Sequence, residues 1–172
     1  MRFVGFPEGL QQTVEEMERW YQRISAARPR VNHYSLFDGG VYCGESFYAI
    51  DADHGNAAAL DIKLFSFARR KGIAAEALTH AMEQAFQNGA SRVWVDPNPS
   101  NEKALALYTR LGFARKPMPS YLLQEETPTS VYMSAQHTDL FNKKPWRKNR
   151  QGFCFGLGYY SSVEKCLMVR TI

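Results

Sequence analysis

A mixed α/β fold of the α+β class, with helices flanking a central sheet, is predicted for this 172-residue chain by three observations. Apolar residues recur every three or four positions in three separate stretches, which marks amphipathic helices. Between them run short segments of two-residue alternation bounded by Gly, Asn and Asp, which marks strands. One helical stretch stands between two strand-like ones, so the chain crosses over and those two strands run parallel.

The elements follow in order. "LQQTVEEMERWYQRI" places Leu10, Val14, Met17, Tyr21 and Ile24 on one helical face. "HYSLFDGGVYCGESFYAID" reads as two short strands around Asp38-Gly39-Gly40, because a tight hairpin needs residues that accept positive φ. "AAALDIKLFSF" extends this to a three-strand meander, with Leu60, Ile62 and Leu64 on one face and Asp61, Lys63 and Phe65 on the other. A second helix, "IAAEALTHAMEQAFQ", stops at Asn88-Gly89; "SRVWVD" is a short strand, expected parallel to residues 60–66. "NPSNEKALALYTRLGF" is a third helix with Ala104, Leu107, Tyr108 and Leu111 on its face and Gly112 at its stop, and "TSVYMSA" is one more strand.

Composition limits the function classes. At 45% hydrophobic and 22% charged residues the chain can bury one core with a small appendage. No apolar run is long enough to cross a membrane, and "MRFVGFPEGLQQ" lacks the organisation of a secretory signal, so a cytoplasmic protein without membrane contact is expected. Cys43, Cys154 and Cys166 have neither paired spacing nor nearby histidines, which predicts reduced thiols and no metal centre. From Phe141 onward seven Lys or Arg face the single acid Glu164. The tail therefore carries +6 and residues 1–140 about −2 of the total +4. A basic body for nucleic acid is not expected.

The junction "ARRKGIAAEAL" (68–78) concentrates Arg69, Arg70 and Lys71 against Gly72 where the second helix starts. The first amides of a helix have no intrahelical partner and the positive end of the dipole points outward, so a phosphate is stabilised there. The plain alternative is a solvated basic loop closed by a turn glycine. Neither GxxxxGK[ST] nor GxGxxG occurs, which argues against nucleoside triphosphate and dinucleotide folds.

Arg69, Gly72 and Ala74 fit the Q/R-x-x-G-x-G/A pyrophosphate loop of the GNAT N-acetyltransferase superfamily. Asn101, Ala104, Tyr108, Gly112 and Phe113 fit its following motif, N-x-x-A-x-x-x-Y-x-x-x-G-F. The ordered pair resembles that superfamily over residues 1–140, leaving 141–172 as a basic, aromatic extension. The resemblance implies a GNAT-like sheet with two splayed parallel strands and acetyl-CoA as co-substrate. It further implies that the backbone of Leu64, Phe65 and Ser66 holds the pantetheine arm, that Arg69, Arg70, Lys71, Gly72, Ile73 and Ala74 surround the pyrophosphate, and that Asn101 contacts the pantetheine or caps its helix. Tyr108 would protonate the departing thiolate; as plain sequence it reads equally as core. Arg70 stands where the family usually has glycine.

Acetyl transfer to an amine needs a neutral nucleophile, a polarised carbonyl and an acceptor for the amine's proton. Carboxylates serve both to bind the ammonium and to take the proton, and the candidates are Asp61, Asp96 and Glu45. Asp61 and Asp96 form the preferred pair at the ends of adjacent parallel strands, although Asp96 before Pro97 also suits a turn. "VDPNPSN" with "LDIKL" is similar to aminoglycoside 6'-N-acetyltransferases, whereas "GGVYCGESFYAID" and "MRFVGFPEG" look like enzymes of ribosomal-protein N-termini. The acceptor is thus a small-molecule amine or a protein N-terminus. Against the family pattern the opening strand is missing, and the tail 141–172 either supplies a replacement, in cis or across a homodimer, or is an extension without that role. The competing reading is a non-catalytic GNAT-fold module whose tail holds RNA or protein.

Overall fold

The computed structural model describes residues 13–123 and 130–138. Within them the order is α1 (Val14–Ala26), β1 (Val31–Asp38), β2 (Val41–Asp51), β3 (Ala57–Leu64), a 3-10 turn (Ser66–Ala68), α2 (Ile73–Gln87), β4 (Arg92–Val95), α3 (Glu102–Arg110), β5 (Ala114–Arg115) and β6 (Met133–Gln136). The six strands form one mixed sheet in the order β1-β2-β3-β4-β6-β5. All pairings are antiparallel except β3 with β4. The expectations for a missing first strand and for residues 141–172 fall outside the described residues.

The β1–β2 turn has Gly39 and Gly40 at φ 59° and 82°, the left-handed pair that a two-residue hairpin requires. Both strands are longer than a short-hairpin reading suggests, eight and eleven residues. α2 ends as expected, with Asn88 as its cap and Gly89 at φ 95°. Its apolar stripe, Ile73, Ala77, Leu78, Ala81, Met82 and Ala85, is buried against β2 and β3. Tyr34, Tyr48, Ile50, Ala58, Leu60 and Val93 complete that core. Each large apolar side chain buried there is worth roughly 1.5–3 kcal/mol. Tyr48 locks the layer: its hydroxyl donates to Pro29 O (2.8 Å) and accepts from Asn32 and Asn88 (2.6 and 2.8 Å).

Four details differ from the sequence reading. β3 stops at Leu64, because Phe65 C=O accepts from Ala68 N–H and Ser66 C=O from Arg69 N–H, turning the chain where alternation alone extends it to Phe67. The parallel pairing joins Ala57–Ala59 to Arg92–Trp94, earlier than residues 60–66. "TSVYMSA" contributes only from Met133, and the two-residue β5 is too short to leave a periodic signal. In α1 the expected core face stays open: Val14, Met17 and Tyr21 are exposed and only Ile24 is buried. This helix packs chiefly on β1, where Trp20 meets the His33 ring edge-on, while Thr13 and Glu16 close its start as a capping box. No helix among the described residues is long and apolar enough to cross a membrane.

Candidate active site

The parallel pair β3–β4 is joined for only three residues and then diverges. Phe65 N–H donates to Cys43 O on β2, so by the alternation of an antiparallel ladder Leu60, Ile62 and Leu64 turn their N–H and C=O groups toward the β4 side, into the opening. Unpaired backbone groups there need partners. Ile62 N–H finds the Asp61 carboxylate (Oδ1, 2.7 Å), and Leu64 C=O accepts from Arg69 Nε (3.1 Å).

Asp61 lies two residues beyond Ala59, and Asp96 two beyond Trp94, with Ala59 and Trp94 directly paired. Strand periodicity puts Asp61 on the face of Ala59 and Trp94, and Asp96 follows directly on the end of β4 at Val95. Tyr108 of α3 is buried, and burial pushes its phenol well above the usual range, with the charges of Asp61 and Asp96 adding to the effect. These three groups, distant in sequence, share one electrostatic environment and leave Tyr108 protonated, able to donate. The ring packs edge-on against Phe113 at 5.7 Å.

The α2 junction is an uncapped helix start behind three basic residues. Arg70 (φ 64°) and Gly72 (φ 89°) are both left-handed, so the backbone folds into a concavity at the helix start. No side chain caps α2, and its first intrahelical bonds run from Ala75 and Glu76 to Gly72 O. The amides of Ile73 and Ala74 thus precede the ladder. A Cβ on Gly72 would meet nothing closer than Glu76 Oε1 at 3.8 Å, which leaves the approach open. The three cations are not equivalent: Arg69 is tied to Leu64 O, Lys71 Nζ to Asp38 Oδ2 (3.1 Å), and Arg70 is exposed. Asn101 caps α3, its Oδ1 accepting from Ala104 N–H at 3.2 Å.

On the same sheet face as Asp61, the β1–β2–β3 register aligns His33, Phe47 and Asp61 in one row and Ser35, Glu45 and Lys63 in the next. The His33 ring stacks on Phe47 at 4.7 Å, and Trp20 meets it edge-on at 4.8 Å. Burial lowers the His33 imidazole below its usual range; Glu45 and Asp61 oppose the shift and Lys63 adds to it. Lys63 Nζ stands 3.4 Å from both Glu45 Oε1 and Asp61 Oδ2. Burial works to lower its pKa, but the two carboxylates outweigh it and the net shift is upward. Beyond this row Phe37, Tyr42, Phe65 and Phe67 form a chain of rings 5.5–5.8 Å apart.

The sequence profile of the Acetyltransferase (GNAT) family matches residues 4–113. The chain belongs to the GNAT acetyltransferase family. A curated relative, the N-alpha-acetyltransferase MAK3 of Arabidopsis thaliana, is 45% identical over 47 residues, which is 27% of this chain and 25% of the relative's length. Among solved structures, a GNAT-family acetyltransferase from Streptococcus pneumoniae superposes with a TM-score of 0.65 at 20% identity, over 79% of this chain and 84% of its own. Aminoglycoside acetyltransferase AAC(6')-Ib in complex with coenzyme A and kanamycin superposes with a TM-score of 0.61 at 19% identity, over 84% and 86% of the two chains. Both share the GNAT fold with this protein.

The structure brings Asp61, Asp96 and Tyr108 together and places Glu45 one row from Asp61, on the far side of Lys63. Leu64 faces the opening of the GNAT sheet, whereas Phe65 N–H is already committed to β2 and Ser66 opens the 3-10 turn. Lys63, His33, Phe47 and Trp20 were not among the sequence-predicted residues. Their signal was available in the register of the meander, since residues spaced by two on a half-buried strand share a face. Among the described residues no cluster of His, Cys, Asp and Glu has the make-up of a metal site.

Proposed function

We propose that this protein transfers the acetyl group of acetyl-CoA to a primary amine by direct attack within a ternary complex, with the α-amine of a chain N-terminus as acceptor. The observation that carries the reading is the β3–β4 pairing that ends after three residues, with the charges of Asp61 and Asp96 reaching the buried Tyr108 phenol and an uncapped helix start following β3. The amides at Gly72, Ile73 and Ala74, with Arg70, would hold the pyrophosphate, and the β4-facing backbone of Ile62 and Leu64 would hold the acyl arm. Acetyl-CoA supplies the activated acyl group.

As the nitrogen bonds to the acyl carbon, Asp61 accepts the amine's proton directly or through water, with Asp96 holding positive charge nearby. The carbon–sulfur bond breaks and the electron pair leaves on sulfur, where Tyr108 donates a hydrogen bond. An acid as weak as Tyr108 first acts through that hydrogen bond, and the proton follows as the thiolate forms, the phenol being restored by the proton that Asp61 took from the amine. An α-amine, with a pKa of about 7.7–8.0, presents a far larger neutral fraction at pH 7 than an alkylamine near 10, so it asks less of the base. The 47-residue match to an N-alpha-acetyltransferase supports the same acceptor. A small-molecule amine is the second reading, favoured by the Asp61–Asp96 pair and by the likeness in fold to the aminoglycoside enzyme.

Titration calorimetry with acetyl-CoA tests the first half. Micromolar binding is expected for the native chain and its loss for Gly72→Glu, whose carboxylate would meet the pyrophosphate. Release of free thiol on adding an N-terminal peptide tests the second. Absence of acetyl-CoA binding by the native chain would overturn the reading.

A further inference from the structure

Asp61 and Glu45 offer two carboxylates on the face where the acceptor would lie, yet both already hold a cation of this chain. Lys63 Nζ is equidistant from them at 3.4 Å, and the three side chains are each 34–40% exposed, at the rim of the face. Asp61 is further engaged, since its other oxygen holds Ile62 N–H. Two carboxylates and one ammonium leave the cluster a single net negative charge. The flank of the cluster is aromatic: His33 stacked on Phe47, with Trp20 at its edge.

We propose that Lys63 is the specificity-determining residue of the acceptor site, restricting it to amines that carry one positive charge beside an apolar group and turning away polycations. The inference deepens the proposed function and rests on it. An incoming ammonium finds one unit of net negative charge at the Glu45–Lys63–Asp61 cluster, so a second or third cation brought to that cluster meets the Lys63 ammonium rather than a free carboxylate, with Asp96 as the further acid of the site. A chain N-terminus with an apolar first residue fits both halves of the surface, its charge to the carboxylates and its side chain to the rings. A linear polyamine fits neither, because its charges recur along the whole molecule.

The test compares spermidine with an amidated tetrapeptide of neutral side chains and free α-amine, using full-length native protein, Lys63→Met, Lys63→Gln and Lys63→Arg, each loaded with coenzyme A. Calorimetric Kd values for the two amines form one ratio per protein, and acetylation is followed separately. The ratio is expected to move toward spermidine by tenfold or more in Lys63→Met and Lys63→Gln and to stay within threefold of native in Lys63→Arg. Spermidine bound no better by the two uncharged variants than by the native protein overturns the proposal, as does an equal change in Lys63→Arg. A shifted binding ratio with no acetyl transfer to either amine leaves the Lys63 assignment standing and removes the catalytic reading.

Discussion

Replacing Tyr108 by Phe isolates one oxygen atom at the centre of the proposed chemistry. The side chain is 7% exposed and its ring packs against Phe113, and Phe retains that packing. What is lost is a donor held protonated by burial and by the charges of Asp61 and Asp96. A hydrogen bond to a charged group is worth roughly 1.5–3 kcal/mol. At about 1.4 kcal/mol per decade, kcat should fall by about 10- to 150-fold when the developing thiolate loses it. Thiol release under saturating acetyl-CoA and peptide measures kcat, and calorimetry measures whether acetyl-CoA still binds within twofold of native. The raised pKa adds a second mark: native kcat should show no falling limb from Tyr108 deprotonation up to pH 10. A kcat within threefold of native, or a rate loss matched by an equal loss of acetyl-CoA affinity, would refute the role of Tyr108 as donor to the leaving group.

Three further outcomes follow from the geometry. Burial holds the His80 imidazole, packed edge-on against Tyr34, down to about 4. The unfolded chain takes up that proton near 6.5, so stability is whole above that value and falls as the pH drops toward 4. The loss reaches about 3 kcal/mol at most, read from urea unfolding at pH 7.5, 5.5 and 4.5, and the same loss in His80→Gln would place the acid sensitivity elsewhere. Arg70 at φ 64° pays the left-handed penalty of a residue with a Cβ, so Arg70→Gly should raise stability by up to about 1 kcal/mol, less the entropy of a new glycine; a lower melting temperature would contradict this. A Cβ on Gly44 would stand 2.0 Å from Lys63 O, so Gly44→Ala should part β2 from β3 beside Glu45 and Lys63 at a cost of roughly 2–4 kcal/mol, a loss that a thermal melt at native stability would deny.

What was legible in the sequence was whatever depends on local rules. Helix stops at Gly89 and Gly112, the Gly39-Gly40 hairpin, the Asn101 cap and the α2 stripe all answer to spacing within a few residues. Arg70 was the instructive case: it stands where the family usually has glycine, which left the conformation of the loop open, and the chain adopts φ 64° with the arginine in place. Less legible was anything requiring two distant segments at once. That Lys63 bridges Glu45 and Asp61 depends on strand register, and the exposed face of α1 depends on where that helix docks. The end of β3 at Leu64 was hidden for a different reason: Phe65, Ser66 and Phe67 continue a strand-like alternation, and only the turn bonds to Ala68 and Arg69 break it.

The same turn explains how a sheet can be held open. Two parallel strands that part company must leave backbone N–H and C=O groups without ladder partners, and such groups are costly when shielded from water. Here β2 holds β3 from one side along its whole length, while on the other side the Asp61 carboxylate takes Ile62 N–H and the Arg69 guanidinium takes Leu64 C=O. The groups that close the opening are side chains, not strands, and side chains can rotate away where a strand would have to unzip. A ligand with amide and carbonyl groups along its length, as the pantetheine arm has, can replace them bond for bond. Its entry would release Asp61 from Ile62, leaving that carboxylate to its second partner, Lys63, and to the acceptor's ammonium. Under the proposed chemistry the base is thus set free by the arrival of the acyl donor, so acetyl-CoA should bind first, and the amine should bind more tightly to the coenzyme-loaded protein than to the free one.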